Sequence, residues 1–143
     1  MSGVDHQAFW DERYSQAGED YLFGAAPNRF LSGHANYFHP GMRVLSVADG
    51  EGRNGTWLAQ QGMAVTALEI SPIALAKARR LAALRKVSVD FVQADALTWS
   101  WPSAAYDAVV AIFIQFATPV ERDPLFANIK HTIKPGGLLL LQG

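Results

Sequence analysis

Arg43-Val-Leu-Ser-Val-Ala-Asp-Gly-Glu-Gly-Arg-Asn-Gly55 is an apolar run followed by a turn with three glycines. The apolar part, residues 43–48, predicts a buried strand. The glycines predict a tight turn, and a helix is expected after it from about Arg53 to Gln61, where Gly62 ends it. A glycine-rich turn between a strand and a helix lets a ligand approach the backbone closely. The sequence therefore predicts a ligand site at the carboxyl end of this strand.

The chain after this turn alternates short apolar runs with helical stretches, which is the pattern of a parallel sheet built from crossover units. Ser71 and Pro72 predict a helix start, because serine caps helix N-termini and proline suits the first turn. Residues 106–113 are apolar throughout and predict a central strand covered on both faces. The predicted fold class is therefore α/β, a doubly wound and mostly parallel sheet of about five strands with helices on both faces. The predicted strands are 43–48, 64–69, 88–93, 106–113 and 138–142, and the predicted helices are 28–38, 53–61, 71–84 and 119–133.

Composition excludes several classes of protein. The 143 residues are 50% apolar and 17% charged, which fits one domain over residues 1–143. The net charge of -1 argues against a nucleic-acid partner, and the basic cluster at 77–86 is expected to be a solvated helix face. Cysteine is absent and the four histidines have no metal-binding spacing, so no metal is expected. The lack of a long apolar stretch and of signal-peptide features predicts a cytoplasmic protein without a membrane partner.

Glu69 ends the second predicted strand, next to the glycine-rich turn. An acid at that position can accept hydrogen bonds from both hydroxyls of a ribose. The turn and the acid together predict a ligand that contains a nucleoside. Gly50, Gly52 and Gly55 also match the GxGxxG pattern of dinucleotide-binding proteins, so a nicotinamide cofactor is a second interpretation.

Two further features separate these interpretations. Asp95 follows the third predicted strand, where its carboxylate could accept a hydrogen bond from an adenine amino group, and Lys134-Pro-Gly-Gly137 precedes the fifth strand. With the glycine turn and Glu69, these features resemble the class I S-adenosylmethionine-dependent methyltransferases, in the same order along the chain. A dehydrogenase needs neither Asp95 nor the Lys134–Gly137 turn. The resemblance implies a Rossmann-like fold from which the C-terminal antiparallel hairpin of that family is missing.

Four segments resemble the tellurite-resistance and thiopurine-type branch of the family: Phe9-Trp-Asp-Glu-Arg-Tyr14, Phe23-Gly24, Pro27-Asn-Arg-Phe-Leu31 and Gly50-Glu-Gly-Arg-Asn54. In that branch the N-terminal segment folds over the cofactor. The resemblance thus implies that residues 1–40 form an aromatic, helical lid over a core of residues 41–143. Simple packing of the aromatic residues would account for the same composition.

The resemblance also implies a role for each matching residue. The backbone of the glycine turn would approach the methionyl part of S-adenosylmethionine, Glu69 would hold the ribose, and Ile70 would pack on the adenine. Arg13 would bind an anionic group of the cofactor. The implied cofactor-binding residues are Arg13, Ala48, Gly50, Gly52, Glu69, Ile70, Asp95, Ala96 and Ile112, and the candidate substrate contacts are Trp10 and Gln115.

The implied reaction is transfer of the sulfonium methyl group to a small molecule, with S-adenosylhomocysteine as the product. A soft thiol, selenium or tellurium acceptor needs no general base, whereas nitrogen and oxygen acceptors do. The stretch 113–116 lacks the Asn/Asp-Pro-Pro-aromatic motif associated with methylation of amino groups on bases, which favours a small acceptor. The alternatives are a truncated cofactor-binding domain without turnover and a nicotinamide-binding protein.

The sequence departs from the family pattern in three places. Ser46 stands where many members have an acid, and Ala48 stands where a glycine is usual. The sheet of the family continues beyond its fifth strand, so Leu138–Leu141 would form an exposed apolar edge that invites pairing with another chain. We expect either a homodimer through this edge or a fragment of a longer protein, and a monodisperse monomer in sedimentation would contradict the homodimer.

Overall fold

A computed structural model describes residues 3–114 and 117–143. Within them, five strands form one sheet in the order β3-β2-β1-β4-β5, and every pairing is parallel. This confirms the predicted parallel α/β sheet. The strands are β1 (Arg43–Val47), β2 (Ala64–Glu69), β3 (Asp90–Gln93), β4 (Tyr106–Ile112) and β5 (Ile133–Gln142), and the α-helices are α1 (Gly3–Gln16), α2 (Arg29–Gly33), α3 (Arg53–Gln60), α4 (Pro72–Leu84) and α5 (Pro119–Thr132).

The strand order places a topological switch point between β1 and β4. The chain runs outward from β1 through β2 to β3 and then returns to the other side of β1 as β4 and β5. In open α/β sheets the loops at such a point diverge and leave a crevice beyond the carboxyl ends of the strands, where ligands bind. The topology therefore positions a site next to the turn that follows β1.

Alternate residues of the central strands build a core on each face of the sheet. Leu45 and Val109 point to the face that α5 covers with Leu125 and Ile129. Their neighbours Val44 and Val110 point to the opposite face, where they meet Leu58 of α3 and Leu31 of α2. These side chains are essentially inaccessible to water. Because both faces are covered, the central strands are apolar without alternation, as the sequence of β4 indicated.

The N-terminal region differs from its prediction. The helix expected over 28–38 is divided, because His34 leaves helical geometry with φ −110° and ψ 23° between α2 and a 3-10 turn at Ala35–Tyr37. The bounds of helix α1 were not predicted, although residues 1–40 were expected to be helical. Its apolar face becomes evident only when His6, Trp10 and Tyr14 are seen to lie at intervals of four residues.

The strand β5 begins five residues earlier than predicted. Ile133 pairs with Tyr106, and regular pairing resumes with Leu138 opposite Ala108. The intervening residues, 134–137, form an irregularity in which Gly136 has φ +79°. Lys134 at its start forms an ion pair of 3.4 Å with Asp107. The Lys-Pro-Gly-Gly motif is therefore a bulge within the strand rather than a turn before it. No helix in the described parts of the chain is long and apolar enough to cross a membrane.

The turn after β1 is packed tightly against α4. Gly52 has φ +90°, and a Cβ atom added there would lie 2.7 Å from the Cβ of Ala78 and 2.9 Å from its Cα. Real Cβ atoms essentially never approach so closely. Close packing of the turn on a helix, as well as the positive φ, thus requires glycine at this position.

We expect Gly52→Ala to destabilise the protein more than Gly41→Ala. Gly41 has nearly the same φ, +89°, but a Cβ atom added there would have nothing within 4 Å, so both variants pay about 1–2 kcal/mol for left-handed backbone. Only Gly52→Ala adds the overlap with Ala78, at a further cost of about 1–3 kcal/mol. Urea unfolding of the two variants measures the difference. Equal losses would show that the turn and α4 move apart freely.

Candidate functional site

A cleft opens at the carboxyl ends of β1, β2 and β4, at the switch point of the sheet. Ala48, Glu69 and Ile112, one from the end of each strand, contribute to its wall. Its empty space is about 960 Å³ with the open mouth included. The cleft is the candidate functional site.

Helix α1 covers the cleft with one of its faces. His6, Trp10 and Tyr14 follow one another at intervals of four residues and all line the cleft. Residues four apart lie above one another on a helix, so the three side chains form a stripe. Phe9 and Arg13 lie outside this stripe. The N-terminal segment is therefore placed over the cleft, and its aromatic residues form part of the wall.

The turn after β1 presents bare backbone to the cleft. Ala48 has φ +53° and Gly50 φ +64°, and both line the cleft. A Cβ atom at Gly50 would lie 2.9 Å from the Tyr14 hydroxyl, so a side chain would fill the space between the turn and α1. Alanine at position 48 is held in a conformation that L-residues disfavour, as its replacement of the usual glycine indicated. The cleft wall therefore includes a strained backbone position, as it does again at Phe113 with φ +56°.

Glu69 is buried and ties three elements together at the cleft. One carboxylate oxygen accepts a hydrogen bond of 2.9 Å from the Gly50 amide, and the other accepts one of 3.0 Å from the Ser71 amide at the start of α4. Burial raises the pKa of Glu69, and the hydrogen bonds from Ser71 and Gly50 oppose this shift. The Ile70 amide also opposes the shift, and because a carboxylate has about four acceptor positions, acceptor capacity remains for a ligand.

Asp49 is a second buried carboxyl group at the turn. Its Oδ1 accepts a hydrogen bond of 2.6 Å from the Ser46 hydroxyl and one of 3.0 Å from the Gly55 amide. Among the described residues its Oδ2 has no hydrogen-bond partner, and a Cβ atom at Gly55 would lie only 2.7 Å from that oxygen. Burial raises the pKa of Asp49 to about 7, against the effect of the two hydrogen bonds. The third glycine of the GxGxxG pattern therefore makes room for a carboxyl group.

Arg13 does not line the cleft. Its side chain is exposed on the outer side of α1, where the guanidinium carbon lies 5.2 Å from the ring centre of Trp10 and 5.8 Å from that of Phe9. Arg53 lines the cleft instead, with its guanidinium carbon 5.9 Å from the ring centre of Phe23. Arg53, the first residue of α3, therefore lies at the cleft wall, whereas the guanidinium group of Arg13 lies beside the rings of Phe9 and Trp10.

The other predicted site residues are distributed as follows. Ile70, Ala96, Ile112 and Trp10 line the cleft with Ala48, Gly50 and Glu69. Gly52 does not, because it faces Ala78, and Asp95 does not, although its neighbours Ala94 and Ala96 do. Asp95 Oδ1 accepts a hydrogen bond of 3.0 Å from the Leu97 amide and so stabilises a turn. Gln115 lies outside the described residues.

Four of the wall residues that sequence reasoning did not assign to the site are aromatic or histidine: His6, Tyr14, Phe23 and Phe113. Burial lowers the pKa of His6, which Asp95 and Glu121 raise by a smaller amount, so its neutral form is favoured. Burial and the carboxylates of Glu69, Glu51 and Asp49 raise the pKa of Tyr14. The four-residue spacing on α1 was the available indication for His6 and Tyr14. No cluster of three or more potential metal ligands occurs in residues 3–114 and 117–143.

We expect Asp49→Asn to gain stability relative to the wild type as the pH rises from 5 to 8. The carboxyl group titrates near pH 4 in the unfolded chain and near pH 7 in the folded protein. Its contribution to the free energy of unfolding therefore falls as the pH rises between these values, because the folded state disfavours the charged form. Asparagine resembles the neutral carboxyl group but does not ionise, so the variant does not lose free energy of unfolding in this pH range. Thermal unfolding at several pH values measures it, with Asp90→Asn, at an exposed position, as the control. Parallel pH profiles for wild type and Asp49→Asn would contradict the raised pKa.

Comparisons with known proteins agree with this geometry. A demethylmenaquinone methyltransferase of Thermus thermophilus is 33% identical over 101 residues, which are 69% of this chain and 46% of that protein. The solved structure of the PH0226 protein from Pyrococcus horikoshii has 28% identity and a TM-score of 0.71, covering 77% of this chain and 52% of that one. A TehB-like S-adenosylmethionine-dependent methyltransferase from Corynebacterium glutamicum shares the fold, with a TM-score of 0.72 at 19% identity over 96% of this chain and 72% of that one.

The chain spans less than half the length of the curated relatives it matches first. A family model described as a methyltransferase domain matches residues 44–137, which run from β1 into the bulge of β5 and include the glycine turn and Glu69. Because this match covers well over half of the chain, the protein belongs to the methyltransferase-domain family.

Proposed function

We propose that the protein is an S-adenosylmethionine-dependent methyltransferase that acts on a small-molecule acceptor. Family membership implies the cofactor. The observation that carries the proposal is the hydrogen bond of 2.9 Å between the Gly50 amide and Glu69, which joins the glycine turn to the acid at the end of β2 within one cleft. A bare backbone turn beside a buried acid is the arrangement that binds a nucleoside with a charged tail.

The described residues fit this cofactor. Glu69 has acceptor positions left for the ribose hydroxyls, and Ile70 and Ala96 offer apolar surface for the adenine beside it. The backbone of Ala48 and Gly50 would approach the methionyl part, near Ile112. We assign the anionic end of the cofactor to Arg53, because Arg53 lines the cleft and Arg13 does not. Asp95 would meet the adenine edge only with the carboxylate oxygen that the Leu97 amide does not use.

The bound cofactor supplies an electrophilic methyl group on a sulfonium centre. The protein contributes a fixed approach direction for the acceptor and protection from water. Trp10 and Tyr14 cover the cleft with aromatic rings, and Phe23 and Phe113 stand at it with 49% and 47% of their surface exposed. The aromatic surface supports a role in excluding water around the reacting groups.

The nicotinamide alternative has less support. Gly52 is required by packing against Ala78, and Gly55 by the carboxyl group of Asp49. Two of the three glycines in the GxGxxG match are thus accounted for without a dinucleotide. The remaining alternative is a cofactor-binding domain without turnover. It would have the same cofactor site but would lack the walls that enclose an acceptor.

We expect S-adenosylhomocysteine and S-adenosylmethionine to bind the purified chain, and NADH not to bind. Glu69→Ala should weaken S-adenosylhomocysteine binding by about 10- to 100-fold, because a hydrogen bond to a charged group contributes about 1.5–3 kcal/mol. Calorimetric titration measures both results, and Glu19→Ala, at an exposed position, is the control. Circular dichroism verifies that the Glu69 variant is folded, since Gly50 and Ser71 lose their acceptor. Undiminished affinity in a folded Glu69→Ala variant would show that the ribose lies elsewhere.

We further propose that the acceptor is a soft thiol, selenium or tellurium anion. The carboxylates at the cleft are engaged or buried: Glu69 accepts hydrogen bonds from backbone amides, Glu51 pairs with a lysine, and the Oδ2 atom of Asp49 is buried against Gly55. A soft acceptor that ionises by itself needs no general base from them. The stripe of aromatic residues at the cleft also suits a large, polarisable atom.

We expect the pH dependence of the reaction to follow the acceptor. With two aromatic thiols of different thiol pKa, the midpoint of the kcat/KM profile should shift by the difference between the two thiol pKa values, because the thiolate is the reacting form. Formation of S-adenosylhomocysteine measures the rate, and an amine of similar shape is the control acceptor. A profile with the same midpoint for both thiols would indicate a base on the protein and contradict this acceptor class.

The homodimer through the outer edge of β5 also stays a proposal. In the described part of the chain β5 pairs on one side only, with β4. Leu141 of this strand is 40% exposed, so an apolar side chain accompanies the unpaired backbone. A second copy of the chain could pair along this edge.

A further inference from the structure

Lys77 is a buried lysine whose ammonium group forms hydrogen bonds with the backbone of the N-terminal segment. It lies on α4 with 2% of its surface exposed. Nζ donates hydrogen bonds to the carbonyl oxygen of Tyr14 at 2.8 Å, to that of Asp20 at 2.7 Å and to Glu51 Oε2 at 2.9 Å. An ammonium group has three donors, so this set satisfies all of them.

Glu51 completes the arrangement from the glycine turn. It lies between Gly50 and Gly52, is 4% exposed, and accepts a hydrogen bond of 2.6 Å from the Leu22 amide with the oxygen that does not contact Lys77. The ion pair of Glu51 and Lys77, here called the latch, thus fixes the backbone of the N-terminal segment at Tyr14, Asp20 and Leu22. Three attachments within nine residues define one position for the segment.

A buried ion pair is a poor source of net stability, because desolvation of the two charges offsets their attraction. The partners of the latch show what it does instead. Apart from their contact with each other, the side chains of Glu51 and Lys77 form hydrogen bonds, within the described residues, only with backbone groups of residues 14–22. The latch therefore specifies where this segment lies rather than adding to the core.

The segment that the latch holds forms a wall of the cleft. Tyr14 lies at its beginning with the hydroxyl group beside Gly50, and Phe23 and Gly24 follow directly after Leu22 and line the cleft. Glu51 itself lines the cleft next to the turn. Release of the latch would displace the wall from the turn and leave the site open to water.

We propose that Glu51 and Lys77 are positioning residues: the latch holds residues 14–24 against the glycine turn and thereby sets how long the bound cofactor stays. The second half of this proposal rests on the proposed function, because it assumes an S-adenosylmethionine site in the cleft. The first half concerns the protein alone. The two halves are therefore tested by separate measurements on the full chain.

Hydrogen exchange of the ligand-free protein tests the first half. The double variant Glu51→Gln/Lys77→Met removes both charges with little change of volume, so neither charge is left buried and unpaired. We expect its amides in residues 14–24 to exchange at least 10-fold faster than in the wild type, with peptides of β1 and β4 unchanged. Arg80→Met, an exposed position on the same helix, is the matched control and should exchange like the wild type.

Dissociation of S-adenosylhomocysteine tests the second half. The double variant should release this probe at least 10-fold faster in stopped-flow measurements, whereas association changes little and Arg80→Met has no effect. Glu51→Asp alone is a milder variant, because it keeps both charges and shortens the side chain that reaches Leu22 and Lys77, and it should give an intermediate rate. This variant keeps the test available even where the double variant does not fold.

The outcomes separate the latch from the proposed function. Unchanged exchange over residues 14–24 in the folded double variant, or equal acceleration in the strands, would overturn the latch. Faster exchange with an unchanged dissociation rate would overturn its effect on the cofactor. A wild-type protein that does not bind S-adenosylhomocysteine would refute the proposed function and with it the second half, and the exchange data alone would then decide the first half.

Discussion

The carboxylate of Glu69 is the interaction on which the site depends. It accepts hydrogen bonds from Gly50, in the turn after β1, and from Ser71, at the start of α4, so the loops that follow β1 and β2 are held together at the cleft. Burial makes the charge of this group costly, and the amides beside it offset that cost. The cleft can therefore keep a fixed shape in water, which a ligand site needs.

The sequence predicted the parts of the molecule that depend on local pattern. The apolar strands, the glycine turn and the Ser71-Pro72 helix start follow from residue types and spacing, and the parallel sheet follows from their order. Neither the exposure of the Arg13 side chain nor the bounds of helix α1 could be predicted in this way. Which face of α1 is buried depends on contacts with distant residues, such as that between Asp11 and Ser71.

The residues of the glycine turn show that a sequence motif does not reveal what each of its residues does. Sequence reasoning assigned Gly50 and Gly52 alike to the approach of a ligand, yet only Gly50 lines the cleft. Gly52 is required by Ala78 of α4, and the side chains of Glu51 and Asn54 accept hydrogen bonds from the amides of Leu22 and Asn28. These four residues of one turn thus contact the cleft, the adjacent helix and the N-terminal segment. No pattern in the motif distinguishes these roles, because each depends on a partner far along the chain.

The replacement of the family acid by Ser46 is compensated within the same turn. The hydroxyl group of Ser46 donates to Asp49, three residues later, so a carboxyl group still lies beside this strand position. Its environment differs from that of an acid on the strand, because burial brings its pKa to about 7 and makes its charge depend on the pH of the solution. The turn accommodates this group only because Gly55 has no side chain. Ser46, Asp49 and Gly55 therefore constitute one coupled departure from the family pattern, and a change at any one of them alters the conditions for the other two.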